Sequence, residues 1–117
     1  MFKKINVMNI YTKYMIPHHK YDIALIKWNP NVTTSIHDHP NKGCSVFLLY
    51  GQLKEEVFKK YNNFLYKKHT NYLSKTLEGS YIDNKIGYHR VSNLSNKNSF
   101  SLHIYEPKGY KTNFNIK

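Results

Sequence analysis

His37-Asp38-His39 is followed five residues later by Cys44, and a third histidine, His89, stands far downstream, two residues after Gly87. Histidines at i and i+2 of an extended strand project to one face, so His37 and His39 can aim both imidazoles into a single cavity. An imidazole brought by His89 from a distant strand would complete a three-nitrogen facial set. Such a set suits a divalent transition metal and leaves coordination positions open for further ligands. Singly, each histidine reads as a surface or satisfied core residue. It is their joint spacing that points to a metal.

Strands separated by close turns are the elements that would position these groups. The 117 residues suffice for one domain with a core but not for two, and the domain is taken as 1–117. Eleven tyrosines and six phenylalanines, with many Val, Ile and Thr, favour strands over a helical bundle. Turn signals recur at Asn29-Pro30-Asn31, Pro40 to Gly43, Tyr50-Gly51, Asn62-Asn63, Glu78-Gly79, Asp83-Asn84, Asn93 to Asn98 and Pro107-Lys108-Gly109. Between them the pattern predicts strands over 23–28, 33–39, 45–50, 53–58, 63–66, 87–91 and 100–105. Many short strands describe a sandwich or barrel. Phe2, Ile5 and Met8 share a helical face, which allows a short N-terminal helix. In the last strand Ser101, His103 and Tyr105 alternate with Phe100, Leu102 and Ile104, giving one polar and one apolar face. In a metal-holding barrel the polar face would line the cavity and form a hydrogen-bonded relay.

Charge and composition narrow the function classes. The formal net charge of +11 raises nucleic-acid binding, but only Arg90 among the 18 basic residues is arginine. The lysines are scattered among Asn, Tyr and Ile, with no basic helix or zinc-finger spacing, so no nucleic-acid partner is expected. No apolar run approaches the roughly 18 residues of a membrane span, and the first residues lack the apolar core of a secretion signal. Together with a single cysteine, unable to form an internal disulfide, this gives the expectation of a cytoplasmic, monomeric protein.

Longer stretches carry a resemblance. His37-x-His39, then Cys44 and Gly51, resembles the first conserved motif of the cupin superfamily with cysteine in place of the usual glutamate; Gly87-x-His89-x-x-x-Asn93 resembles the latter half of the second. Trp28, Ser35-Ile36-His37-Asp38-His39, Cys44, Tyr50-Gly51-Gln52-Leu53-Lys54-Glu55, Tyr81-Ile82-Asp83, the run Ile86 to Asn93 and Ser101-Leu102-His103-Ile104-Tyr105 together resemble the cysteine dioxygenase family. The likeness runs in register over about residues 21 to 107.

That resemblance implies an all-β cupin barrel, a jelly roll or double-stranded β-helix. It implies Fe(2+) held by His37, His39 and His89. It implies a thioether between Cys44 and Tyr105, with Ser101 and His103 orienting the tyrosine. The reaction implied is conversion of L-cysteine and dioxygen to cysteine sulfinate. Asp38 and Arg90 are expected to point away from the metal, and Asn93 to support the turn that follows.

Tyr11-Thr12-Lys13 resembles the family's Tyr-Thr-Arg stretch, which places Tyr11 and Lys13 at the substrate carboxylate. On its own, Lys13 reads as one more solvated lysine. In the family position it keeps the arginine's charge but not its planar fork, so a different small thiol such as 3-mercaptopropionate, or a catalytically inactive metal-binding cupin, stands as the alternative. The chain is short for this family, so one side of the site is expected to be more open. Residues 59–75 resemble nothing in the family and are expected to form a diverged hairpin, while His18, His19 and His69 are expected at the surface.

Overall fold

Alternation of inward and outward side chains organises the computed structural model, which describes residues 3–38, 43–83, 86–106 and 108–109. The strands are β1 (Lys3–Val7), β2 (Tyr11–Ile16), β3 (Asp22–Trp28), β4 (Val32–Thr33), β5 (Cys44–Tyr50), β6 (Leu53–Tyr61), β7 (Phe64–Leu73), β8 (Gly79–Ile82), β9 (Tyr88–Asn93) and β10 (Ser99–Tyr105). They form a six-stranded sheet in the order β1-β2-β3-β10-β5-β8 and a four-stranded sheet in the order β4-β9-β6-β7, every pairing antiparallel. The two sheets close on each other in the jelly-roll manner. Among the described residues there is no helix, and hence none long and apolar enough to cross a membrane.

Between the sheets lies a cluster that includes Ala24, Ile26, Trp28, Val46, Leu48, Val57 and Val91. Burying each Val, Leu or Ile side chain of this cluster contributes about 1.5–3 kcal/mol relative to exposure. The strand predicted over 100–105 has its faces as the alternation assigns them, but the polar set is the inner one. Ser99, Ser101 and His103 are buried, while Phe100, Leu102 and Ile104 are only partly covered. The apolar core thus gives way to a polar lining along β10.

The N-terminal helix is overturned. Residues 3–16 form a β-hairpin instead, with Val7 paired to Tyr11. Met8 and Asn9 both take positive φ, 47° and 60°, and Ile10 N–H donates to the Val7 carbonyl at 2.8 Å, a tight turn within the three-residue connection Met8-Asn9-Ile10 whose twist suits antiparallel strands. Phe2, invoked for the helical face, lies outside the described residues, as do residues 40–42, 84 and 107 of the predicted turns. The strand predicted over 33–39 shrinks to β4, after which Thr34 still bonds Val91 and the chain returns to β9 at an isolated bridge between His37 and His89. The diverged segment 59–75 does carry a hairpin: β6 and β7 are joined by Asn62 and Asn63 at φ 48° and 69°.

Asn93 ends β9 completely buried. Its amide donates to the carbonyls of Asn29 (3.1 Å) and Lys97 (2.8 Å), and its carbonyl accepts from Ser95, which shapes the turn over 94–98. Arg90 points outward, where Glu56 directly opposite on β6 takes it in two hydrogen bonds of 2.9 and 3.1 Å. His19 and His69 are exposed; His18 is partly covered and stacks on His19.

Candidate metal and substrate site

The backbone bridge between His37 and His89 is reciprocal, with N–H to carbonyl distances of 2.9 and 3.1 Å. Residues exchanging both hydrogen bonds face each other directly, so the two imidazoles turn into the same space. Their Nε2 atoms are 2.8 Å apart. The remaining ring nitrogens are engaged elsewhere: His37 Nδ1 lies 2.9 Å from the Ser35 carbonyl and His89 Nδ1 lies 2.7 Å from a Glu55 carboxylate oxygen. A carbonyl and a carboxylate only accept, so each Nδ1 carries its proton, and the two Nε2 atoms face each other at a separation that needs a proton or a metal ion between them. Two lone pairs converging on one point form a donor set that a cation satisfies, and neutral imidazole is what a divalent metal takes. Burial first, then His89, hold the pKa of His37 well below its ordinary value and keep it neutral. Among the described residues two of the three sequence-predicted ligands meet. His39, the third, lies outside them.

The six-stranded sheet supplies the opposite wall. Cys44 and Tyr105 are direct cross-strand partners on β5 and β10 and line the same small cavity. Burial pushes the Cys44 thiol up to about 12 and the Tyr105 hydroxyl well above its usual value, so both are protonated at neutral pH. Behind Tyr105 runs a relay. Trp28 Nε1–H donates to Ser101 Oγ at 2.8 Å. Ser101 Oγ is in turn hydrogen-bonded with His103 Nε2, 2.6 Å away. His103, whose pKa burial lowers to about 3, stacks on Tyr105 with ring centroids 6.1 Å apart.

Lys13 is not a solvated lysine. Its Nζ lies 5.3 Å from the Tyr105 ring centroid and 5.8 Å from that of Tyr11, reaching from β2 toward the histidines. Desolvation lowers its pKa, with Cys44 and Asp22 opposing. Tyr11 is buried edge-on against Trp28 at 4.9 Å. A cavity of about 20 Å³, large enough for an ion or one water, lies among Tyr11, His37, Cys44, His89, His103 and Tyr105. The structure therefore gathers Tyr11, His37, Cys44, His89, Ser101, His103 and Tyr105 in one place, with Lys13 at its edge.

Glu55 lies in one of the resembling segments, where the sequence assigns it no role. It is 3% exposed, and its carboxylate accepts from His89 Nδ1 (2.7 Å), from Ser80 Oγ (2.5 Å) and from Asn71 Nδ2 (2.9 Å). Burial raises its pKa, but these three donors more than reverse that and bring it to about 2. The signal for it was alternation, since Glu55 shares a face with Leu53 and Val57, both buried.

These shifts make the fold acid-sensitive. Glu55 ionises near 4.5 when unfolded and about 2 when folded, so its contribution, at most about 3 kcal/mol, is whole above 4.5 and lost as pH falls toward 2. His103 likewise stays neutral in the fold down to about 3 whereas the unfolded chain takes up that proton near 6.5. Urea midpoints measured against pH should therefore fall continuously from about pH 6.5 downward. A flat profile between 6.5 and 3 would contradict the burial of these groups.

An antiparallel jelly roll whose interior presents facing imidazoles is the cupin class of barrel. Solved oxalate decarboxylases share it: that of Bacillus subtilis, studied for its Mn(II) centres, superposes with a TM-score of 0.76 at 15% identity over 97% of this chain and 30% of its own, and that of Lactobacillus farciminis with 0.77 at 14% identity over 97% and 33%. The chain belongs to the cysteine dioxygenase type I family, whose model matches residues 1–114. It is 37% identical over 92 residues to human cysteine dioxygenase type 1 and 33% identical over 93 residues to that of Danio rerio, in each case covering 75% of this chain. The alignment spans 46% of the length of these relatives, so this chain corresponds to about half of each.

Proposed function

We propose that this chain is an iron-dependent thiol dioxygenase converting L-cysteine and dioxygen to cysteine sulfinate. The observation that carries the reading is the convergence of the His37 and His89 Nε2 atoms opposite a wall made of Lys13, Cys44 and Tyr105. His37 and His89, with His39, would hold the metal. When bound, a ferrous ion supplies Lewis acidity toward a thiol and one-electron chemistry toward dioxygen. Lys13 offers a single positive charge at the rim, suited to a carboxylate. The Tyr105 hydroxyl, kept protonated and braced from behind by His103, Ser101 and Trp28, gives a fixed hydrogen-bond donor at the cavity. The reaction balances with both oxygen atoms added to sulfur and no hydrogen lost.

Cys44 and Tyr105 are also proposed to become joined by a thioether. The thiol and a ring C–H each give up one hydrogen, dioxygen being the oxidant. Dioxygen takes up those two hydrogens as hydrogen peroxide, so the step is a two-electron oxidation. Intact mass of the purified protein would then be lighter by two hydrogens than the sequence mass.

Dioxygen uptake by iron-loaded protein tests the main reading. Cysteine is expected to yield its sulfinate, and 3-mercaptopropionate, which keeps a carboxylate for Lys13, to be the nearest competitor. Cysteamine, with an amine and no carboxylate, is expected to be poor because it meets the Lys13 ammonium. Absence of sulfinate from all three would refute the reading, and bound metal without turnover would favour an inactive metal-binding cupin.

A further inference from the structure

Glu55 joins three strands. It projects from β6, takes a hydrogen bond from Asn71 directly opposite on β7, another from Ser80 on β8 of the other sheet, and a third from His89 on β9. The distribution of donors is uneven. Oε1 accepts from both Ser80 and Asn71, while Oε2 accepts from His89. Two side chains with no other part in the site thus fix the orientation of one carboxylate. That orientation leaves a single oxygen, 2.7 Å from Nδ1, to set the state of the imidazole.

We propose that Glu55 is a positioning residue that locks His89 in its Nδ1–H form, so that the Nε2 lone pair faces His37 and is available to a metal. This rests on the reading of His37 and His89 as metal-binding imidazoles, but the lock itself is a property of the metal-free chain. A carboxylate has no proton to give, so an imidazole against it must donate.

Glu55→Gln inverts that requirement with almost no change of shape. The donors from Ser80 and Asn71 claim the amide oxygen at the Oε1 place. The amide NH2 then stands at the Oε2 place and donates to His89 Nδ1, which moves the ring proton to Nε2 and turns it toward His37 Nε2. A substituent that merely packed would not care which nitrogen bears the proton.

The experiment uses the full chain, metal-free, in slightly alkaline buffer, and reads the His89 ring nitrogens by nitrogen-15 NMR. The unsubstituted protein is expected to show a protonated Nδ1, and E55Q a protonated Nε2. Cobalt(II) titration of the same samples is expected to show affinity falling 10- to 100-fold in E55Q. Glu56→Gln, which faces Arg90 on the outer side, is expected to change neither readout. E55Q keeping the Nδ1–H form would overturn the proposal. So would an unsubstituted chain with Nδ1 unprotonated, a result that stands even if E55Q fails to fold. An Nδ1–H His89 in an unsubstituted chain that binds no cobalt supports the lock and instead refutes the metal reading.

Discussion

His89→Ala is expected to yield a folded protein that no longer retains metal at stoichiometric level and no longer gains thermal stability when metal is added. The substitution removes one of the two Nε2 atoms that meet at 2.8 Å. Loss of a partner that only orients a ligand costs 10- to 100-fold in affinity, and loss of the ligand itself should exceed that. The metal-free fold should suffer much less. Glu55 keeps its donors from Ser80 and Asn71, and forfeiting one charge-assisted hydrogen bond costs about 2 kcal/mol. A ligand that binds only the native state raises stability with its concentration, so the melting temperature of the unsubstituted chain should climb on metal addition while that of His89→Ala stays level. His37→Ala should behave alike. His69→Ala, an exposed histidine on β7, should match the unsubstituted chain. Metal analysis on purified samples decides it: wild-type content in His89→Ala would remove the basis of the site.

How far such a site can be read from the chain depends on whether its residues signal through periodicity. Strand β10 was legible because strict alternation set one face against the other, and β3 and β5 because they are apolar runs bounded by turn signals. The same alternation assigned Ser101, His103 and Tyr105 to one side. The hairpin at 3–16 was not legible, because Phe2, Ile5 and Met8 fall at helical spacing and the Met8-Asn9 turn lacks the glycine that marks this turn type most strongly. The pattern puts His37 on an extended strand over 33–39, whereas the structure brings it to β9 only at an isolated bridge. That bridge forms because the chain after β4 leaves the sheet and returns, which no local propensity records. Lys13 was misread in isolation because a lysine among many others gives no sign of where its stem lies. It is the pairing of Lys13 with Ile26 on β3 that sets the stem on the sheet over the site. Glu55 carried a signal that went unused, since a carboxylate on the inward face of a strand needs donors wherever it is.

Gly87 stands two residues before His89 and ties the candidate site to the backbone. Its φ is 143°, a conformation that residues with a Cβ rarely adopt, and an added Cβ would stand 2.2 Å from the Phe58 carbonyl oxygen and 3.5 Å from a methyl of Val57. The Val57 contact is ordinary, but the Phe58 carbonyl cannot yield cheaply, because Phe58 is the β6 residue paired to Tyr88. Gly87→Ala must therefore both strain its own dihedrals and push β9 off β6 by about an ångström at the start of their ladder. These two costs together should reach about 4 kcal/mol, which in a chain of this size lowers the melting temperature by roughly 15 °C. Gly109→Ala provides the contrast. That glycine also has positive φ, 85°, but nothing lies within 4 Å of its missing Cβ, so only the dihedral strain of about 1 kcal/mol applies. Urea denaturation of the two variants separates the contributions. If Gly87→Ala lay within about 1 kcal/mol of the unsubstituted chain, β9 would have to shift freely against β6. The close approach that brings His89 opposite Val57 and in reach of Glu55 could then not be what fixes the imidazole in place.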